Sequence, residues 1–225
     1  MSQGVYVTGT DTGVGKTVVC CALLHALRAQ GRTTVGMKPV ASGCERLGGE
    51  WRNADALALI EAGSQRFGYA LHNPYALPAA TAPQLAARDA AMTVTLAPML
   101  EAYRRIAAHA DNVVVEGVGG WAAPLADGLD QADLVRALDL PVLLVVGLRL
   151  GCLSHARLSA RAIEGDGCRL VGWIGAAVDP ALERSESYQQ LLRDALPAPC
   201  LGVLPHAPEA SACVLGSCLD VDALL

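Results

Sequence analysis

Short runs that are apolar at nearly every position alternate along this chain with longer segments that read as helices. The strands this pattern predicts are Val5 to Thr8, Thr33 to Lys38, Asn112 to Glu116, Val142 to Gly147, Leu170 to Val178 and Cys200 to Leu204. Helices are predicted at Lys16 to Gln30, Asn53 to Ala62, Val94 to His109, Gln131 to Leu138, His155 to Glu164 and Ser187 to Leu196. Asn53 is a candidate N-cap, and Gly31 and Gly63 stand where glycines stop helices. Val40 to Trp51, with three glycines, and Gly117 to Asp127 read as loops. Phe67 to Pro83 holds three prolines and no strong period, and reads as an excursion over the surface. Strands that are apolar on both faces need cover on both. The pattern therefore predicts an α/β fold, three layers deep, with a mostly parallel sheet and helices on both faces. No repeat, linker or low-complexity segment divides it, so residues 1–225 are read as one domain. In such sheets ligands bind beyond the carboxyl ends of the strands, which is where candidate chemistry is sought.

The first strand end is the most informative. Gly9-Thr10-Asp11-Thr12-Gly13-Val14-Gly15-Lys16-Thr17 lies between a strand and a helix. A loop of this kind turns backbone N–H groups toward polyphosphate oxygens, and the helix dipole adds positive potential. Lys16 would reach the β- and γ-phosphates, and the Thr17 hydroxyl would ligate magnesium. Thr10 stands at the first glycine position of the usual spacing, so this is a variant phosphate loop, and the domain is read as P-loop NTPase-like. Gly13, Val14, Gly15, Lys16, Thr17 and Val18 are its candidate nucleotide-binding residues, to which Asp55 and, at a neighbouring strand end, Glu116, Gly117, Val118 and Gly119 are added.

Other strand ends add charge. Lys38 closes an otherwise apolar strand and would place a second cation near the γ-phosphate; a solvated strand-end lysine is the alternative. Glu116 closes another, where P-loop enzymes carry the second magnesium element, and Gly117-Val118-Gly119-Gly120 after it allows backbone to approach a ligand. Asp55, early in the Asn53 helix, completes a candidate magnesium set of Thr17, Asp55 and Glu116, or serves only the helix dipole. The loop from Leu148 to His155 enters a helix whose N–H groups could take a carboxylate, with Ser154 as a plain capping residue instead. His155 and His206 have no partner near in sequence and read as solvated or packed.

Composition narrows the class. Hydrophobic residues make up 52% and charged residues 17%, with a single Phe, so Ala, Leu and Val must fill the core of a globular protein. A net charge of -5 without a basic cluster gives no electrostatic case for nucleic acid or an anionic membrane. Eight cysteines show no C-x-x-C pair and read as reduced thiols of a cytoplasmic enzyme rather than a zinc site. No leader segment is visible, and the apolar run from Leu138 to Leu148 is too short and interrupted to span a bilayer.

In order, the stretches GTDTGVGKT at 9–17, KPVASG at 38–43, RNADALAL at 52–59, NPY at 73–75, VVEGVGGW at 114–121, PVLLVVG at 141–147 and LGC at 150–152 cover nearly the whole chain. Together they resemble the dethiobiotin synthetases, P-loop ligases of biotin synthesis. The resemblance implies a homodimer that uses magnesium, ATP, carbon dioxide and 7,8-diaminopelargonic acid, with an active site shared between subunits. It implies that Lys38 and Lys16 are catalytic, and that Ser42 contacts the substrate amine end, with Gly117, Val118 and Gly119 lining the same pocket. It implies that the substrate carboxylate rests on Gly151, Cys152, Leu153 and Ser154 of the partner chain, with Tyr188 closing over it.

Gly13 stands where some relatives carry Glu, and Ser154 where an Asn is common. Ala176 occupies the position of an adenine-gripping Asn, which leaves backbone at Ala176 and Ala177 and at Pro205, His206 and Ala207 for the base, and implies relaxed base selectivity. Two other classes compete. Amide-forming P-loop ligases usually carry a further glutamine-hydrolysing domain, for which this chain has no room. Partitioning-type switch ATPases carry an early loop lysine where Asp11 stands here. Since Lys38 on this reading acts through charge at a strand end, Lys38→Gln should nearly abolish turnover with little loss of folding.

Overall fold

The computed structural model describes residues 3–224. In chain order its main elements are β1 (Gln3–Gly9), α1 (Lys16–Ala29), β2 (Thr34–Met37), α2 (Ala54–Ala62), α3 (Pro83–Asp89), α4 (Leu96–Ala107) and β3 (Asn112–Glu116). They continue with α5 (Gln131–Leu138), β4 (Val142–Gly147), α6 (Cys152–Gly165), β5 (Leu170–Ala176), α7 (Ser185–Ala195), β6 (Cys200–Leu204) and α8 (Ala212–Gly216). Six strands form one sheet in the order β6-β5-β4-β1-β3-β2, and every neighbouring pair is parallel.

Successive side chains of a strand point to opposite faces, and here both faces are apolar. Val5, Val7, Val114, Leu143 and Val145 pack with Leu24 and Leu27 of α1, Leu59 of α2 and Leu215 of α8. Tyr6, Val113, Val115, Leu144 and Val146 pack on the other side with Met99 and Ile106 of α4, Leu134 of α5, Ile163 of α6 and Leu192 of α7. This is the expected three-layer α/β arrangement. Gly36 permits a close approach of α2, since a Cβ there would lie 2.7 Å from Leu59 Cβ. That approach carries Asp55 toward the carboxyl end of the sheet.

Several expectations are corrected. Residues 40–51 are not featureless: Val40–Ala41 is a short strand, and Glu45–Leu47 pairs with Glu50–Arg52 as an exposed hairpin. In the 117–127 loop, Pro124–Ala126 pairs with Leu129–Asp130. Residues 67–83 ride over the surface only in part: Gly68, Ala70, Ala80, Thr81 and Ala82 are exposed, but the middle of the segment is drawn in. Tyr69–His72 is one helical turn, Tyr75–Ala76 pairs in parallel with Val40–Ala41, and His72, Asn73 and Leu77 are buried. Helices α3 and α8 are short and went unrecognised. Strand β5 ends at Ala176 rather than Val178, and α6 begins at Cys152 rather than His155. No helix among the described residues is long and apolar enough to cross a membrane.

Candidate active site

Strand β1 delivers Gly9 to the loop, and α1 begins at Lys16 with Gly15 as its N-cap in the left-handed region, φ 87°. Gly13 shares that geometry, φ 73°, which an L side chain would strain. Val14 is the buried underside of the loop; a Cβ on Gly147 would lie 2.9 Å from its Cγ1. Thr10, in place of the usual glycine, is held by its N–H to Val145 O at 2.9 Å. The Lys16 ammonium is buried and donates to Asp11 O at 2.9 Å. Burial, and then the neighbouring Lys38, hold its pKa below the ordinary lysine value.

Lys38 is not a solvated strand-end lysine. It is 4% exposed, with Nζ 2.6 Å from Glu116 Oε1 and 3.1 Å from Asp55 Oδ2. Burial alone would lower its pKa, but the attraction of Glu116 and Asp55 and hydrogen bonds to both outweigh that and raise it. Glu116 Oε1 also accepts from Thr17 Oγ1 at 2.9 Å, while Glu116 Oε2 is sealed from solvent without a hydrogen-bond partner. An orphaned carboxylate oxygen beside a hydroxyl and a second carboxylate is a donor set that fits magnesium. Among the described residues no three His, Cys, Asp or Glu side chains cluster as a ready metal cage. Two carboxylates and a hydroxyl suit an ion that completes its shell with water and phosphate oxygens.

These groups open onto a cavity of about 830 Å³. Of the residues singled out in the sequence, Gly13, Gly15, Lys16, Thr17, Val18, Lys38, Ser42, Asp55, Glu116, Val118 and Gly119 line it. Gly120, read in the sequence as a place where backbone approaches a ligand, lines it too, whereas the segment 80–83 and Ala123 line it and were not foreseen. Gly117 is not part of the lining; its carbonyl accepts from Lys38 Nζ at 3.5 Å.

The remaining candidates lie outside this cavity. Ala176 ends β5 beside the loop: a Cβ on Gly15 would lie 3.3 Å from Ala176 Cβ. Ala177, Pro205, His206 and Ala207 follow β5 and β6, with Ala177 N donating to Leu204 O and His206 Nδ1 3.1 Å from Ala177 O. Gly151 is the left-handed N-cap of α6, so Cys152, Leu153 and Ser154 form its first turn, and Ser154 is not the cap. An ion pair of 2.6 Å ties Arg149, ahead of that turn, to Asp11. The Thr12 N–H holds the Asp11 carboxyl below its usual range; burial opposes it, and the hydrogen bond and charge of Arg149 add to the lowering. Tyr188, on α7, is half-buried against the core.

Sequence reasoning missed the seat of Lys38. His72 O accepts from Lys38 N at 2.8 Å, and Asn73 Nδ2 donates to Lys38 O at 2.6 Å. His72 itself stands between Gly36 O and the Phe67 N–H, which makes Nδ1 the donor and leaves Nε2 unprotonated. Burial lowers its pKa accordingly. The signal was the stretch at 73–75, which was noted only as a motif.

Comparison with known proteins follows the same lines. The family model described as an AAA domain matches residues 3–213. The chain is 60% identical over 207 residues, 92% of each chain, to "ATP-dependent dethiobiotin synthetase BioD" of Xanthomonas oryzae pv. oryzae (strain PXO99A). It is 60% identical over 203 residues, 90% of each chain, to the protein of the same name in Xylella fastidiosa (strain 9a5c). Its fold is similar to a ParA family ATPase from Chlorobium tepidum TLS, with a TM-score of 0.59 at 13% identity, over 98% of this chain and 92% of that one.

Proposed function

The chain belongs to the family of ATP-dependent dethiobiotin synthetases, and we propose that it closes the cyclic urea of dethiobiotin from 7,8-diaminopelargonic acid and carbon dioxide. One observation carries this reading. Lys38 is buried between Glu116 and Asp55 in the same cavity as the phosphate loop and Ser42. A cation is thereby held beside the phosphates at a wall where a second substrate can lie.

In the reaction, one substrate amine bonds to carbon dioxide and loses a proton, giving a carbamate. A carbamate oxygen attacks the γ-phosphorus of ATP in line, and ADP leaves. The second amine attacks the carbonyl carbon of the resulting anhydride, and phosphate leaves as the ring closes. Such chemistry needs positioning and neutralised oxygens more than a protein nucleophile. Lys16 and the loop N–H groups meet the β- and γ-phosphates. Lys38, kept protonated by its carboxylates, faces the carbamate and the transferring phosphoryl group. Thr17, Asp55 and Glu116 would hold magnesium, which would supply charge neutralisation at the phosphate oxygens. Ser42, Gly117, Val118 and Gly119 receive the diamine, and Ala176, Ala177, Pro205, His206 and Ala207 meet the base through backbone.

The shared-site homodimer is part of this proposal. Gly151, Cys152, Leu153 and Ser154 do not line their own chain's cavity, and the same region presents Leu150 at 79% and Leu158 at 60% exposure. A second copy covering these leucines would bring that helix start, with Tyr188, to the substrate carboxylate. We further propose a single cytoplasmic ligase domain over residues 1–225 that binds neither nucleic acid nor membrane. Incubation with diaminopelargonic acid, bicarbonate and magnesium ATP, followed by mass detection, should reveal dethiobiotin. Absence of product with every nucleoside triphosphate would overturn the reading.

A further inference from the structure

We propose that Gln131, braced by Tyr6, is a positioning residue that holds the 117–123 loop in the shape that receives the diamine; this rests on the reading above. Gln131 opens α5 and is 0% exposed. A buried amide is costly unless its hydrogen bonds are made, and here they converge on one loop. Its Oε1 accepts from Tyr6 OH at 2.7 Å and from Val118 N at 3.1 Å. Its Nε2 donates to Gly120 O at 2.7 Å and Trp121 O at 3.1 Å, with Ala123 O at 3.4 Å. Two donors face one end and three carbonyls the other, so only one orientation of the amide satisfies the site.

The clamp joins the two halves of the cavity. Tyr6 lies on β1, three residues before Gly9 opens the phosphate loop. Burial and the Glu116 charge keep its phenol protonated and therefore a donor. Gly117 packs into the clamp so closely that a Cβ would lie 2.4 Å from Gln131 Oε1 and 2.7 Å from Tyr6 OH. Gly120 lies against the phosphate loop, where a Cβ would be 3.4 Å from Thr10 O. Gln131 thus commits the Val118 N–H and the Gly120 carbonyl. The N–H groups of Gly119 and Gly120 take no partner among the described residues and remain for an oxygen of the substrate. The phosphates rest on a different loop, so loosening the clamp should reach the diamine more than the nucleotide.

The test is steady-state kinetics and amide hydrogen exchange on Gln131→Met and on the milder Tyr6→Phe. In Gln131→Met, KM for diaminopelargonic acid should rise about tenfold to a hundredfold, the scale of a misplaced binding group. KM for ATP should stay close to wild type, and exchange across 117–123 should quicken. Tyr6→Phe should shift the same quantities less. If both KM values rise together, or neither changes per folded molecule in either variant, the proposal is overturned. Should the wild-type protein make no dethiobiotin, the activity reading fails. The clamp is then judged by exchange in Tyr6→Phe, where unchanged protection of 117–123 defeats it and faster exchange upholds it.

Discussion

Replacing Lys38 by Met gives the sharpest test of the charge arrangement. Its ammonium and the Glu116 carboxylate are 5% and 1% exposed as side chains and lie 2.6 Å apart. Removing one partner of such a buried pair leaves the other uncompensated and costs about 3–5 kcal/mol. The Asp55 side chain is 44% exposed, so its share is screened by solvent and adds less than about 1 kcal/mol. For a chain of this size that loss corresponds to a fall in Tm of roughly 6–20 °C. In urea the midpoint should drop with an unchanged slope. The earlier expectation that a neutral residue at 38 would spare folding is therefore revised. The double variant Lys38→Met with Glu116→Gln removes both charges and should recover most of the stability, although turnover stays down by at least about 10²–10³ because the cation and one magnesium ligand are both gone. The raised folded pKa sets the pH dependence. Lys38's contribution is fully present below the unfolded lysine value of about 10.4 and is lost as pH rises through its higher folded value, so wild type should show an alkaline loss that the double variant lacks. A single-variant loss below about 1 kcal/mol, the range of a screened surface pair, would refute the reasoning. So would a double variant no more stable than the single.

Other outcomes are equally direct. Thr17→Val should shift the magnesium dependence of turnover to higher concentration, since the Thr17 hydroxyl lies 2.9 Å from Glu116 Oε1; a superimposable magnesium titration would count against that role. With Ala176 at the end of β5, ATP, CTP and GTP should support comparable kcat/KM, and a strong preference for ATP would sink the idea of a weakly read base. Cys213 and Cys218 are exposed and should react first with a thiol reagent in the native protein, whereas burial pushes Cys21 up to about 12 and Cys20 well above its ordinary value. Labelling of Cys20 or Cys21 as fast as Cys213 would contradict that burial.

Strands β3 and β4 and helix α5 lie at the boundaries their periodicity predicts, because each is bounded by residues that end it locally. Asn53 caps α2 through Asp55 N and Ala56 N, as a short polar side chain before an apolar run should. The start of α6 was misjudged because Ser154 offers a capping hydroxyl, while the helix actually opens from Gly151 at φ 93°. The segment 67–83 was misjudged because its prolines suppress any period, and its burial depends on strand Val40–Ala41 pairing with it from far away in sequence.

By itself, then, the sequence determined the alternation of strand and helix, the glycine loop running into Lys16, and the placing of Lys38 and Glu116 at strand ends. All of these are set by neighbours a few residues apart. Only the tertiary structure decided that Lys38 is a buried, shared cation rather than a solvated one, because its bond to Glu116 spans 78 residues and its backbone is seated by Asn73. It likewise decided that Gln131 holds the 117–123 loop, since the Tyr6 hydroxyl that braces it lies 125 residues away. Parallel strand order brings those groups together, and no local pattern encodes that order.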